Sequence, residues 1–111
     1  PNPQLFTDDA AQPVPPQMQA RLVDTATGRS YALTKNRMIM GRSSASDVVV
    51  DDINASRSHA ELRLEQSGAW SITDLGSTNG TYVNGQRITT RSLNEGDRIS
   101  VGMTDLGFTY N

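Results

Sequence analysis

The chain contains no cysteine and a single histidine. A fold of 111 residues without cysteine stands without disulfides, and the same absence leaves the redox compartment unconstrained. One histidine without cysteine argues against a dedicated zinc or iron centre. The acids Asp8, Asp9, Asp47, Asp51 and Asp52 lack the spacing of a calcium loop and read as solvated loop charges. No metal and no cofactor are therefore expected. Long apolar runs and lysine/arginine runs are both missing, so no membrane contact is expected. A formal net charge of −2 is not the basic balance of a general nucleic-acid binder. Proline disappears after Pro16, and no segment sustains helical periodicity.

What remains is a chain of one-domain length with 35% hydrophobic residues, enough for a modest core. It opens at Pro1 without methionine and shows no signal peptide, which reads as a fragment or trimmed chain. All five prolines fall within residues 1–17, which are expected to form a flexible linker, with the domain spanning 18–111. From Met18 onward, short apolar runs alternate with turn signals roughly every ten residues, the pattern of a sandwich or barrel. Strands are expected at 20–24, 30–33, 38–40, 48–50, 60–64, 70–73, 82–83, 98–101 and 106–110. The stretch Ala60 to Glu65 alternates apolar and charged, as a half-buried strand does. Thr27-Gly28, Ser67-Gly68, Asn79-Gly80, Asn84-Gly85 and Glu95-Gly96-Asp97 supply turns.

Three loops carry candidate chemistry. Arg42 follows Gly41 at the end of an apolar run, where its guanidinium can offer a planar fork of donors to a phosphate or carboxylate. The alternative is a surface ion pair with a neighbour such as Asp47. Ser56-Arg57-Ser58-His59 brings a hydroxyl, a second cation and an imidazole able to bridge loops through both nitrogens. A hydrolytic reading would take Ser56 or Ser58 as nucleophile, His59 as base and Asp74 as orienter. Against it, Ser58 and His59 are adjacent and face opposite sides of a strand, and no Gly-x-Ser-x-Gly elbow exists. Asp74-Leu75-Gly76-Ser77-Thr78-Asn79-Gly80-Thr81 is a polar turn that either satisfies its own backbone or faces a ligand. Asn84-Gly85 reads as a structural turn.

In combination, Gly41-Arg42, Ser56-Arg57-Ser58-His59, Asn79-Gly80 and Asn84 resemble, in order and spacing, the forkhead-associated (FHA) domain family. Ser46 to Val50, Asp74 to Ser77 and Gly96-Asp97-Arg98-Ile99 look like the same family, over about Met18 to Tyr110. The resemblance, bacterial in type, implies an all-β, two-sheet sandwich of about eleven strands that binds phosphothreonine peptides through loops at one end. It implies that Arg42 and Ser56 contact the phosphate and that Arg57 adds charge. It further implies that Thr78 lines the phosphothreonine site and Asn79 bonds the peptide backbone. Ser43 and Ser44 would be additional donors, while Gly41, His59, Gly80 and Asn84 would be architectural. Ala55 and Ser58 depart from the family, which often has a larger aliphatic residue and an Arg there; neither removes a phosphate contact.

The partner so implied is a phosphothreonine-containing protein or peptide in Ser/Thr kinase signalling, in the cytoplasm, with no nucleic acid, no membrane and no enzymatic activity. A phosphate-independent interaction scaffold is the alternative. Thr7, followed by Asp8 and Asp9, is a further candidate: phosphorylated, it could occupy its own or a neighbouring site. Its plain reading is as part of an inert linker.

Overall fold

The computed structural model describes residues 11–111. Eleven strands run in chain order: β1 (Ala20–Asp24), β2 (Ser30–Leu33), β3 (Arg37–Gly41), β4 (Val48–Val49), β5 (Ala60–Leu64), β6 (Trp70–Asp74), β7 (Thr81–Val83), β8 (Gln86–Ile88), β9 (Thr90–Leu93), β10 (Arg98–Val101) and β11 (Thr104–Tyr110). They form a six-stranded sheet, ordered β2-β1-β11-β10-β7-β8, and a five-stranded sheet, ordered β4-β3-β5-β6-β9. Among the described residues, only β3 and β4 pair in parallel. The expected two-sheet architecture is therefore the observed one.

The alternation read in the sequence is what closes the sandwich. Along β5, Ala60 and Leu62 are buried while Glu61 and Arg63 are partly exposed. Leu22, Val83, Ile99, Val101, Leu106 and Phe108 from the six-stranded sheet meet Met40, Leu62, Trp70 and Ile72 from the other. Burying each large side chain contributes about 1.5–3 kcal/mol. The Trp70 indole keeps its N–H satisfied by donating to the Met18 carbonyl over 3.1 Å.

Two strands were not expected, β8 and β9. Neither shows an apolar alternation: Gln86, Arg87, Thr90 and Ser92 are exposed. They are the outer strands of opposite sheets, held by β7 and β6 respectively. Only Thr89 separates them, so the chain crosses between sheets there, and the Thr89 carbonyl accepts from Asp74 N–H over 2.8 Å.

Packing begins before the composition shift at Gln17. Val14 is 4% exposed and joins the core. Its N–H donates to the Thr34 carbonyl, Asn36 N–H donates to the Gln12 carbonyl, and Pro13 bridges Lys35. Prolines are compatible with this arrangement because an edge contact draws on few donors, and Val14 supplies the one required. Thr7 lies outside the described residues.

Candidate functional site

The three loops singled out in the sequence meet at one end of the sandwich. Gly41, at the end of β3, makes this possible. A Cβ there would overlap the Arg57 carbonyl oxygen and lie 3.0 Å from that of Ser56. With only hydrogen at that position, the β3–β4 and β4–β5 loops join directly: Arg42 N–H donates to the Ser56 carbonyl (2.9 Å) and Ser43 N–H to the Arg57 carbonyl (3.2 Å). Arg42 Nε donates to the Ala55 carbonyl over 3.1 Å, which aims the guanidinium along the β4–β5 loop.

Arg42 does not pair with Asp47. That carboxylate takes Lys35 Nζ (2.8 Å) and the Ile39 N–H (2.8 Å) instead. Partial burial would raise the Asp47 pKa, but these bonds outweigh it and hold the group below its ordinary value. The exposed guanidiniums of Arg42 and Arg57 carry no ion pair among the described residues.

His59 is fully buried and locks the third loop in place. Ser56 N–H donates to its Nδ1 over 2.9 Å, so Nδ1 is unprotonated and Nε2 carries the hydrogen. Nε2 donates to the Gly80 carbonyl over 2.9 Å. Both ring nitrogens are thereby committed to backbone, and Asp74 is bonded elsewhere. The Ser–His–Asp constellation considered from sequence is not assembled.

The β6–β7 loop joins strands of different sheets, so Asn79-Gly80 is not a hairpin turn. Of that pair only Gly80 has positive φ (87°), whereas Asn84 (53°) and Gly85 (83°) form the true two-residue hairpin. Asn84 also clamps that hairpin to β10 by accepting from Arg98 N–H and donating to Asp97. Asp74 organises the loop from within. It accepts from the hydroxyls of Ser77 (2.5 Å) and Thr81 (2.7 Å) and from the N–H groups of Gly76 and Ser77. Ser77 Oγ in turn accepts from Gly80 N–H. Burial would raise the Asp74 pKa, but these donors outweigh it and hold the carboxyl below its ordinary value.

Further contacts join this loop to the Ser56 loop. Thr78 N–H donates to Ser56 Oγ (3.0 Å), which leaves the Ser56 hydroxyl proton available to an acceptor. Asn79 Nδ2 donates to the Asn54 carbonyl (2.8 Å), leaving Asn79 Oδ1 available to a donor. The result is an open concavity of about 410 Å³ lined by Arg42, Ser56, Arg57, Thr78 and Asn79, together with Ile53, Asn54 and Ala55. Every residue given a primary binding role from sequence lines it. Ser43 and Ser44 do not; Ser43 Oγ accepts from Ala45 N–H within its own turn.

Sequence reading missed a second support. Asp52, taken for a solvated charge, accepts from Asn54 N–H, Met103 N–H and Thr104 Oγ1, each at 2.8 Å. Gly102, with φ of 63°, packs against the same loop, where a Cβ would come within 3.0 Å of Asn54 and Ala55. The partners of Asp52 lie up to 52 residues away, so no local pattern announces them. The Asp74-x-x-Ser77 turn was visible as a side-chain-capped loop, and it serves as an internal brace.

Known proteins resemble this chain in sequence and in fold. The glycogen accumulation regulator GarA of Mycolicibacterium smegmatis is 40% identical over 81 residues, covering 73% of this chain and 51% of that protein. An oxoglutarate dehydrogenase inhibitor of Corynebacterium diphtheriae is 38% identical, covering 73% and 56%. The chain thus spans about half the length of the curated relatives it matches. The structure of Mycobacterium tuberculosis EmbR in complex with a low-affinity phosphopeptide superposes with a TM-score of 0.79 at 35% identity, covering 84% of this chain and 24% of that one. Those two relatives are named as a regulator and an inhibitor respectively. The FHA domain family model matches residues 38–102, from the middle of β3 through the β10–β11 turn, and so takes in all three loops of the concavity: the chain belongs to the FHA domain family.

Proposed function

We propose that this chain binds phosphothreonine in partner proteins through the concavity at Arg42, Ser56, Arg57, Thr78 and Asn79, and acts in Ser/Thr kinase signalling. The observation that carries this reading is the unpaired guanidinium of Arg42, aimed by the Ala55 carbonyl and set beside a serine hydroxyl whose proton is free. A phosphorylated threonine brings about −1.5 to −2 charges and three strong acceptor oxygens. Two arginines, the Ser56 hydroxyl and the Thr78 hydroxyl supply donors for them without a metal. Ser44, exposed two residues after Arg42, is a lesser donor. Asn79 Oδ1 can take a peptide N–H next to the phosphothreonine.

Hydrogen bonds to charged groups contribute roughly 1.5–3 kcal/mol each. Desolvation and the ordering of a peptide offset much of this, which points to micromolar affinity. Preference for threonine over serine is modest, since one buried methyl contributes about 0.8 kcal/mol, about a factor of four.

The module acts by binding, not catalysis, and works in the cytoplasm on a phosphorylated kinase or kinase substrate. No helix among the described residues is long and apolar enough to cross a membrane. A phosphate-independent scaffold on a sheet face finds less support. Among the described residues, the exposed large hydrophobic side chains, Ile53, Leu75 and Met103, all lie on loops. Titration with matched phosphorylated and unphosphorylated threonine peptides tests the reading. Equal affinity for both would overturn it.

A further inference from the structure

Asn-Gly occurs twice in the chain, at Asn79-Gly80 and Asn84-Gly85. The pair has a chemistry of its own beside its turn geometry. The backbone nitrogen after an asparagine can attack the side-chain amide carbon, and glycine, without a Cβ, obstructs that approach least. Asparagine is a thermolabile residue for this reason. The two pairs are held differently. At Asn84 both side-chain heteroatoms are committed: Oδ1 accepts from Arg98 N–H (2.9 Å) and Nδ2 donates to Asp97 (3.0 Å). Asn79 is exposed, and its Oδ1 carries no bond among the described residues. There the attacking group is held instead. Gly80 is buried, and its N–H donates to Ser77 Oγ over 2.9 Å. Ser77 Oγ is fixed as an acceptor, because its own hydrogen goes to Asp74 over 2.5 Å. This bond keeps the proton on the Gly80 nitrogen and fixes its peptide plane.

We propose that Asn79 is a latent deamidation site, guarded by Ser77, whose conversion shuts the concavity. When the β6–β7 loop opens locally, the Gly80 nitrogen is released from Ser77. It bonds to Asn79 Cγ, the Cγ–Nδ2 bond breaks, and the Gly80 proton leaves with the amide as ammonia. Water then adds across one of the two imide C–N bonds. Cleavage at Cγ gives aspartate, and cleavage at the backbone carbonyl gives isoaspartate, which lengthens the main chain by one carbon. Water is the only co-reactant. Either product puts a carboxylate in the wall of the concavity where Asn79 stood. That charge repels a phosphate, and the donor to the Asn54 carbonyl is lost. The shut-off rests on the phosphothreonine reading above, whereas the chemistry at Asn79 does not.

The test is timed incubation of the full chain in warm, mildly alkaline buffer, with conversion at Asn79 and Asn84 read by mass spectrometry of its peptides. Asn84 is the reference within the same molecule. In Ser77→Ala the rate at Asn79 is expected to rise about five- to tenfold, the scale of one lost hydrogen bond, while the rate at Asn84 is unchanged. Ser77→Cys keeps the shape with a weaker acceptor and is expected to fall between the two, which gives a second reading should the alanine variant fail to fold. The converted fraction of the wild-type chain, separated by charge, is expected to bind a phosphothreonine peptide at least about tenfold more weakly than the unconverted fraction. Rates at Asn79 that are equal in the wild type and the folded variants overturn the guard. Full affinity in the converted fraction overturns the shut-off. Equal binding of phosphorylated and unphosphorylated peptides by the unconverted chain overturns the phosphothreonine reading and the shut-off with it, while the rates still decide the guard.

Discussion

Nε2 of His59 donates to the carbonyl oxygen of Gly80 across 21 residues of chain, while Nδ1 of the same ring receives the Ser56 N–H. One buried imidazole therefore sets the spacing between the loop carrying Ser56 and the loop carrying Thr78 and Asn79. In His59→Ala the Ser56 N–H and the Gly80 carbonyl lose their partners, and each unsatisfied buried group costs about 1–3 kcal/mol. A stability loss of about 2–5 kcal/mol in urea unfolding is expected, with phosphopeptide binding lost as well.

Arg42→Ala separates binding from folding. The side chain is exposed and its only bond within the described chain is to the Ala55 carbonyl. Phosphopeptide affinity is expected to fall by about 2–5 kcal/mol, as when one partner of a charge pair is removed. Unfolding free energy should shift by no more than about 0.5 kcal/mol. Calorimetric titration beside a thermal melt reads both, and full affinity in the variant would remove Arg42 from the site.

Gly41→Ala tests the junction of the first two loops. The added methyl meets the backbone of Arg57, which cannot rotate away as a side chain would. Overpacking of this kind costs about 1–3 kcal/mol. The amides of Arg42 and Ser43 are expected to lose protection from hydrogen exchange, because their acceptors on Ser56 and Arg57 must move.

Acid should loosen the β6–β7 loop before the sheets. Burial acts to raise the Asp74 pKa, yet the bonds from Ser77, Thr81 and Gly76 bring it below 3.8. Asp47 and Asp52 are lowered in the same way. A carboxylate with a depressed folded pKa stabilises the fold above its unfolded value, and that contribution is lost as pH falls through the folded value. Urea stability is expected to be level at neutral pH and to decline as pH falls below 3.8. In Asp74→Asn the decline should be shallower, starting from a stability lower by about 1–3 kcal/mol. An unaltered acid limb in the variant would show that Asp74 does not brace the loop.

Much of the sandwich was legible because a half-buried strand writes itself as alternation. Ala60 to Leu64 is the clearest case, with Ala60 and Leu62 inward and Glu61 and Arg63 outward. β8 and β9 were not legible, because edge strands present polar side chains and take their pairing from β7 and β6. Asn79-Gly80 is a turn signal in the sequence, and the dipeptide commonly closes a hairpin. Only the partners of β6 and β7, in separate sheets, show that the loop is a crossing.

The residue types and their order determined an all-β chain with three polar loops and the groups a phosphate would need. These are local properties, set by side-chain chemistry and spacing. Tertiary structure decided which of those groups converge and which are braces. Arg42 makes no ion pair with Asp47 because Asp47 is held by Lys35 and Ile39. Asp52 is a support because Met103 folds back to it from 51 residues away. Val14 belongs to the core because its N–H finds Thr34. Contacts of that separation depend on how two sheets close over one core, and no stretch of sequence encodes that closure by itself.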